Sequence, residues 1–198
     1  MTGQKRIVVA ITGASGAIYG IRALELLRGE ENVETHLILS PSGAQTIALE
    51  TDLSLKDVRA LADQTHAFKN IGASLSSGSF RVDGMVVAPC SIKTLSGIAN
   101  SYDENLIIRT ADVCLKERRP LALMVRETPL HQGHLELMAR AASYGAFIAP
   151  PVPAFYHRPA SIDAIVNQTV GRTLDLLGLD LAAVHRWKDS EEDANRAV

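Results

Sequence analysis

Residues 7–11 (Ile-Val-Val-Ala-Ile) are an unbroken apolar run, cut by Thr12-Gly13-Ala14-Ser15-Gly16 and followed at once by Ile18, Ile21, Leu24 and Leu27 at helical spacing. A strand that is apolar on both faces has to be covered on both, as a central strand of a parallel sheet is. The same punctuation recurs along the chain. Residues 33–39 read as a second strand, and Ser40-Pro41-Ser42 opens a helix, since Pro suits a first helical turn. A helix is expected over 52–62, with Leu55, Val58, Leu61 and Ala62 on one face, and a Ser/Gly-rich loop over 70–79. Residues 84–88 form a third strand, stopped by Pro89-Cys90-Ser91, with helices over 92–100 and 105–116. A fourth strand at 121–125, a helix at 130–144, a short strand at 146–149, a Pro-rich loop at 150–159 and an amphipathic helix at 162–177 complete the pattern. Strands alternating with helices predict one α/β domain, a doubly wound parallel sheet with right-handed crossovers. That domain is expected to run to residue 187, with a polar tail over 188–198.

A chain of 198 residues, 46% hydrophobic and 21% charged, has apolar material for a core on both faces of such a sheet. A net charge of −2 offers no basic face for nucleic acid and no polybasic membrane anchor. No apolar run approaches the roughly 18 residues of a membrane span. Cys90 and Cys114 lack C-x-x-C spacing and read as buried free thiols in a reducing compartment, so a cytoplasmic location is expected.

In open parallel sheets, ligands bind beyond the carboxyl ends of the strands, where connections reverse direction. Four of the expected strand ends carry polar loops: 12–16, 40–42, 89–94 and 126–129. In the first, Gly13 and Gly16 allow close backbone approach and Ser15 adds a hydroxyl at a helix N-terminus, a setting that favours a phosphate. A tight turn without ligand would use the same residues. The loop is not a dinucleotide fingerprint, because Ser15 stands where the second Gly belongs and the second strand ends at Ser40 without an acidic residue. Ser40, Ser91 and Thr94 suit helix capping. Gathered at one sheet edge, they also suit a ribityl-phosphate ligand such as FMN.

Lys116-Glu117-Arg118-Arg119-Pro120 reads by itself as a solvated helix end, and Arg172 as a surface charge. Arg126-Glu127 lies at the ligand edge, where it is either an ion pair or a carboxyl tuned for proton transfer. His131 and His134 are spaced i, i+3 without further ligands nearby, so no metal site is expected. Residues 154–159 (Ala-Phe-Tyr-His-Arg-Pro) offer an aromatic wall and the Tyr156 hydroxyl.

The stretches TGASGAIYG (12–20), LETD (49–52), SSGSF (76–80), PCSIKTLSGI (89–98), RTADVCLKERRPL (109–121), VRETPLHQGHL (125–135) and PPVPAFYHRP (150–159), in that order, resemble the flavin prenyltransferases of the UbiX type. The resemblance covers nearly the whole chain. It implies a flavodoxin-like fold in a large homo-oligomer, commonly a dodecamer, with FMN between subunits and no metal. It implies transfer of a dimethylallyl group from dimethylallyl monophosphate to reduced FMN at N5 and C6. The prenylated FMN would pass to a UbiD-type decarboxylase, as in ubiquinone biosynthesis.

The resemblance carries flavin contacts onto Gly13, Ala14, Ser15, Ser40, Ser91, Ile92, Lys93, Thr94 and Arg126. It carries the prenyl-phosphate pocket onto Ser15, Glu50, Arg109, Lys116, Tyr156 and Arg172, with Arg109 reaching in from a neighbouring subunit. Catalytic roles fall on Glu127, Ser15, Glu50 and Lys116, and Trp187 lies near a segment that closes over the site. Loss of phosphate from an allylic carbon needs positive charge around the leaving group, which these cations would supply without magnesium. Two other readings fit a flavin site: a flavin-dependent aromatic-acid decarboxylase, and a non-catalytic FMN carrier. The helix after the Gly loop lacks the His typical of related cysteine decarboxylases.

Overall fold

The computed structural model describes residues 4–181, 184 and 186; Trp187 and the tail 188–198 lie outside the described residues. In chain order the elements are β1 (Lys5–Ile11), α1 (Ala17–Arg28), β2 (Val33–Leu39), α2 (Pro41–Glu50), α3 (Leu55–Arg59), β3 (Gln64–His66), β4 (Gly84–Cys90), α4 (Ile92–Ala99), α5 (Leu106–Lys116), β5 (Leu121–Val125), α6 (Gln132–Ser143), β6 (Phe147–Ile148) and α7 (Ile162–Asp175). The six strands form one sheet in the order β3-β2-β1-β4-β5-β6, every pair parallel. The chain leaves β1 toward one edge and later returns to add β4 on its other side. The switch point therefore falls between β1 and β4.

The two-residue period of the strands divides the core in two. Ile7, Val9 and Ile11 pack with Val86, Ala88, Ala122 and Met124 under α1 and α7. Val8 and Ala10 pack with Met85, Val87 and Leu123 under α4, α5 and α6. Each Val, Ile, Leu or Met among them contributes about 1.5–3 kcal/mol on withdrawal from water. With both faces of β1 apolar, polarity cannot set how closely α1 approaches the sheet. Gly20 does, since a Cβ there would lie 2.2 Å from the Ala88 carbonyl oxygen and 2.6 Å from Ile11 Cγ1.

The helix starts explain much of the rest. Ser40, Ser54, Ser91, Asn105, His131 and Ser161 each accept a backbone N–H as the side-chain cap of α2 to α7 in turn. Among the described helices, only α1 begins without one. Its N-cap, Gly16, sits at φ 100° in the left-handed region and has no side chain to offer.

Three expectations need correction. The helix expected over 52–62 is reduced to Leu55–Arg59, bounded by the Ser54–Asp57 capping box. Edge strand β3 was not expected, because Gln64-Thr65-His66 is polar and carries no apolar alternation. It forms by pairing with His36, Leu37 and Ile38, next to Asp63, which accepts from the Thr35 N–H and hydroxyl at 2.7 and 2.9 Å. The 70–79 segment is not plain loop either. A 3₁₀ turn at Ser74–Ser76 buries Leu75, and Arg119 donates to the Gly78 and Phe80 carbonyls at 2.6 and 3.0 Å.

Candidate functional site at the carboxyl edge

The loops that follow β1, β2, β4 and β5 meet at one edge, laced together by hydrogen bonds. The Ser40 N–H donates to Ile11 O at 3.0 Å, and the Arg126 N–H to Cys90 O at 3.1 Å. Between them, Thr12 donates from its hydroxyl to Pro89 O at 2.7 Å and accepts from the Ser91 N–H at 2.9 Å. Gly13, Ser15, Lys93, Arg126 and Glu127 are exposed here, Ala14, Ser91, Ile92 and Thr94 are half-buried, and Ser40 is buried. These expected residues, in separate stretches of sequence, do come together.

Ser40 Oγ accepts from the Gly43 N–H at 2.9 Å, which leaves its own proton to give. Ser91 Oγ accepts from the Thr94 N–H at 3.3 Å and donates to Thr94 Oγ1 at 3.1 Å, so Thr94 keeps its hydroxyl proton. Capping and ligand donation are thus compatible at both positions. The α2 and α4 N-termini offer a donor set that fits the phosphate and ribityl hydroxyls of a flavin nucleotide.

The α1 N-terminus does not fit the expectation of a phosphate seat. The Gly16 and Ala17 N–H groups donate to one oxygen of Glu50, at 2.8 and 3.0 Å. Glu50, at the end of α2, thereby supplies from elsewhere the cap that Gly16 lacks. Burial works against this carboxylate. The Ser15 hydroxyl, the two N–H groups and the nearby Arg126 charge outweigh it and hold the carboxyl below the usual carboxylate range. Glu127 stands beside Arg126, with one oxygen accepting from the Thr128 N–H at 3.0 Å.

The remaining expected residues do not join this edge within one chain. Lys116 ends α5, just before Pro120, whose carbonyl accepts from the Met85 N–H at 3.0 Å at the amino end of β4. There Lys116 pairs with Glu117. Arg172 lies in the last turn of α7, paired with Asp175. Three residues beyond that helix, the Gly178 carbonyl accepts from Lys5 at the start of β1. Both cations therefore sit toward the amino edge. Arg109, in the first half of α5, donates to Ser76 O at 3.2 Å and pairs with Asp103 at 2.9 Å and Asp112 at 3.2 Å. The Tyr156 hydroxyl accepts from Gln168 at 2.8 Å, one helical turn before Arg172.

His131 and His134 lie ring on ring at 3.6 Å, with His131 Nδ1 capping α6. Among the described residues, no group of three or more His, Cys, Asp and Glu side chains is placed to hold a metal. Cys90 and Cys114 are free and buried, and burial pushes both thiols up to about 12. Neither is a nucleophile at neutral pH. No helix among the described residues is long and apolar enough to cross a membrane.

The Flavoprotein family profile matches residues 1–174. Flavin prenyltransferase UbiX of Escherichia coli (strain K12) is 62% identical over 178 residues, which are 90% of this chain and 94% of that protein. The chain belongs to the UbiX flavin prenyltransferase family. The UbiX protein AnUbiX (PadA1), solved in complex with FMN and dimethylallyl pyrophosphate, superposes at a TM-score of 0.91 with 51% identity, over 95% of this chain and 100% of that one. A dodecameric FMN-dependent UbiX-like decarboxylase from Escherichia coli O157:H7 gives 0.90 and 48%, over 92% and 99%. The UbiX fold thus extends over nearly all of the chain. Thr12, buried within the lacing, carries no sequence signal beyond opening the Gly loop.

Proposed function

We propose that this chain is a flavin prenyltransferase, joining the dimethylallyl group of dimethylallyl monophosphate to N5 and C6 of reduced FMN with release of phosphate. The observation that carries this reading is the division of the site's parts between the two edges of the sheet. The carboxyl edge has neutral donors for a flavin nucleotide, together with the Ser15–Glu50 pair and Arg126-Glu127. The cations suited to a second, leaving phosphate, Lys116 and Arg172, lie toward the other edge. A homo-oligomer that sets the amino edge of one copy against the carboxyl edge of another completes the site.

In this reading Gly13, Ala14, Ser15, Ser40, Ser91, Ile92, Lys93, Thr94 and Arg126 hold the flavin acceptor. Arg109, Lys116, Tyr156 and Arg172 grip the prenyl phosphate and stabilise charge on the departing oxygen. Glu127 takes up a proton lost as the new ring closes. Bound reduced flavin supplies the electron-rich ring that attacks the allylic carbon; the protein orients it and excludes water.

Association is supported by exposed apolar groups at Leu135, Tyr144, Phe147, Val152, Phe155 and Ile162, on the β6 side of the sheet and the loop after it. The UbiX-like decarboxylase from Escherichia coli O157:H7 is a dodecamer, and we assign that state to this chain. The product would serve a UbiD-type decarboxylase in a reducing cytoplasm, where two unpaired thiols are at home.

The test is an anaerobic mixture of protein, reduced FMN and dimethylallyl monophosphate. Mass spectrometry should show a flavin heavier by one isoprene unit, with equimolar phosphate released. Bound but unmodified FMN would instead favour a carrier, and carbon dioxide release from an aromatic acid by the protein alone would favour a decarboxylase.

A further inference from the structure

We propose that Thr12 is a positioning residue whose hydroxyl fixes the gap between the two principal ligand loops, 12–16 and 89–94. The inference rests on reading the carboxyl edge as the flavin site. The β1–β4 ladder runs from Ile7↔Gly84 to Ala10↔Val87 and goes no further. Beyond it comes Pro89, which has no N–H to give a ladder. The β4–β5 register also shifts between Val87 and Cys90. Regular pairing therefore lapses at the switch point, where α1 departs over one face of the sheet and α4 over the other.

Thr12 fills that lapse. Its hydroxyl donates to Pro89 O at 2.7 Å and accepts from the Ser91 N–H at 2.9 Å, while its own N–H reaches Pro89 O at 3.3 Å. One side chain thus replaces the missing ladder bonds and joins the start of the Gly loop to the N-cap of α4. Thr12 is only 1% exposed, so water cannot take over if the hydroxyl is removed. Three residues on, Ser15 is tied to Glu50, and next to Ser91 the α4 N-terminus presents Thr94. A flavin that touches both sides at once needs them at a fixed separation, and tolerance here is small.

The experiment compares Thr12→Val, which keeps shape and loses the hydroxyl, with Thr12→Ser, which keeps the hydroxyl. Val58→Ala, a buried truncation in α3 outside both loops, controls for lost stability. FMN affinity, the visible circular dichroism of the bound flavin and the thermal midpoint are measured for each. Thr12→Val should weaken FMN binding roughly tenfold, the scale of one buried hydrogen bond with an orphaned donor, and alter the flavin dichroism. Thr12→Ser should stay near wild type in both. Val58→Ala should lose thermal stability with affinity and dichroism unchanged. The proposal is overturned if Thr12→Val binds flavin like wild type, if Thr12→Ser does not rescue, or if Val58→Ala loses as much affinity. A wild-type chain that binds no FMN would instead overturn the flavin-site reading beneath it.

Discussion

If Lys116 serves the site from a neighbouring copy, two inactive variants should restore each other. Lys116 lies near the amino end of β4 and β5, whereas Glu127 follows the carboxyl end of β5. At about 3.3 Å per residue, strands of five to seven residues separate the two edges by roughly 15–20 Å. Across water at that distance a unit charge contributes about 0.2 kcal/mol, and salt screening beyond a Debye length of about 8 Å removes most of that. Acting only within its own chain, Lys116 would be worth almost nothing to a phosphate at the carboxyl edge. Touching the leaving oxygen from another copy, it should be worth a hundredfold or more in rate, the usual scale for one positioned donor of this kind. Lys116→Ala should therefore nearly abolish prenyl transfer while flavin binding survives, and Glu127→Gln should slow it in the same background of normal binding. In a randomly assembled 1:1 mixture of the two, about a quarter of the sites combine an intact Glu127 with an intact neighbouring Lys116, so activity should recover to about a quarter of wild type. The variants would carry different tags, mixed oligomers would be isolated on both tags in turn, and product would be followed by mass. Isolated mixed oligomers no more active than either parent would refute the shared site.

Other outcomes follow from single contacts. Glu50→Gln should weaken the cap on α1 and change how stability depends on acid: a carboxyl held below its ordinary range stabilises the fold above that range and loses this as pH falls through the lowered folded value, so a scan of thermal midpoint from neutral to acid pH should be flatter in the variant. Burial holds His36 below its ordinary value, against the raising charge of Glu34, with His66 and Arg6 lowering it further. Stability should therefore be full above about pH 6.5 and fall as pH drops through the depressed folded value. Burial lowers His66 as well, so His36→Gln should reduce that slope without abolishing it, and an unchanged slope would locate it elsewhere. Arg119→Ala should cost about 2–4 kcal/mol through the lost bonds to Gly78 and Phe80, and should speed proteolysis within 70–80; unchanged cleavage would show that Leu75 alone orders that segment.

The parallel sheet was legible because its central strands are buried on both faces, and 7–11, 84–88 and 121–125 leave few other arrangements. The ligand loops were legible for a related reason: polar residues right after an apolar strand have one sheet edge to occupy. Strand β3 was not, since a three-residue edge strand needs no apolar pattern and is specified by Asp63 reaching Thr35. Thr12 was hidden because its role depends on what Pro89 cannot donate, 77 residues away. The resemblance assigned Arg109 to a neighbouring copy, but it named Lys116 and Arg172 without saying on which copy they stand.

The occupied N-terminus of α1 bears directly on how two phosphates could share so small a region. A left-handed Gly16 without a side chain leaves the first N–H groups of α1 open, and on its own that would be the best anion seat at the switch point. Glu50 fills it, bringing a negative charge beside Ser15. A phosphate placed there would meet a like charge at short range; under the proposed function this sends the flavin phosphate to the α2 and α4 N-termini and the prenyl phosphate to cations from another copy. What the Ser15–Glu50 pair favours is the opposite kind of group, an N–H or a site gaining positive charge, which a reduced flavin ring provides. The capping exception in α1 thus keeps phosphates away from the Ser15–Glu50 pair and leaves that place to the ring, before any substrate is chosen.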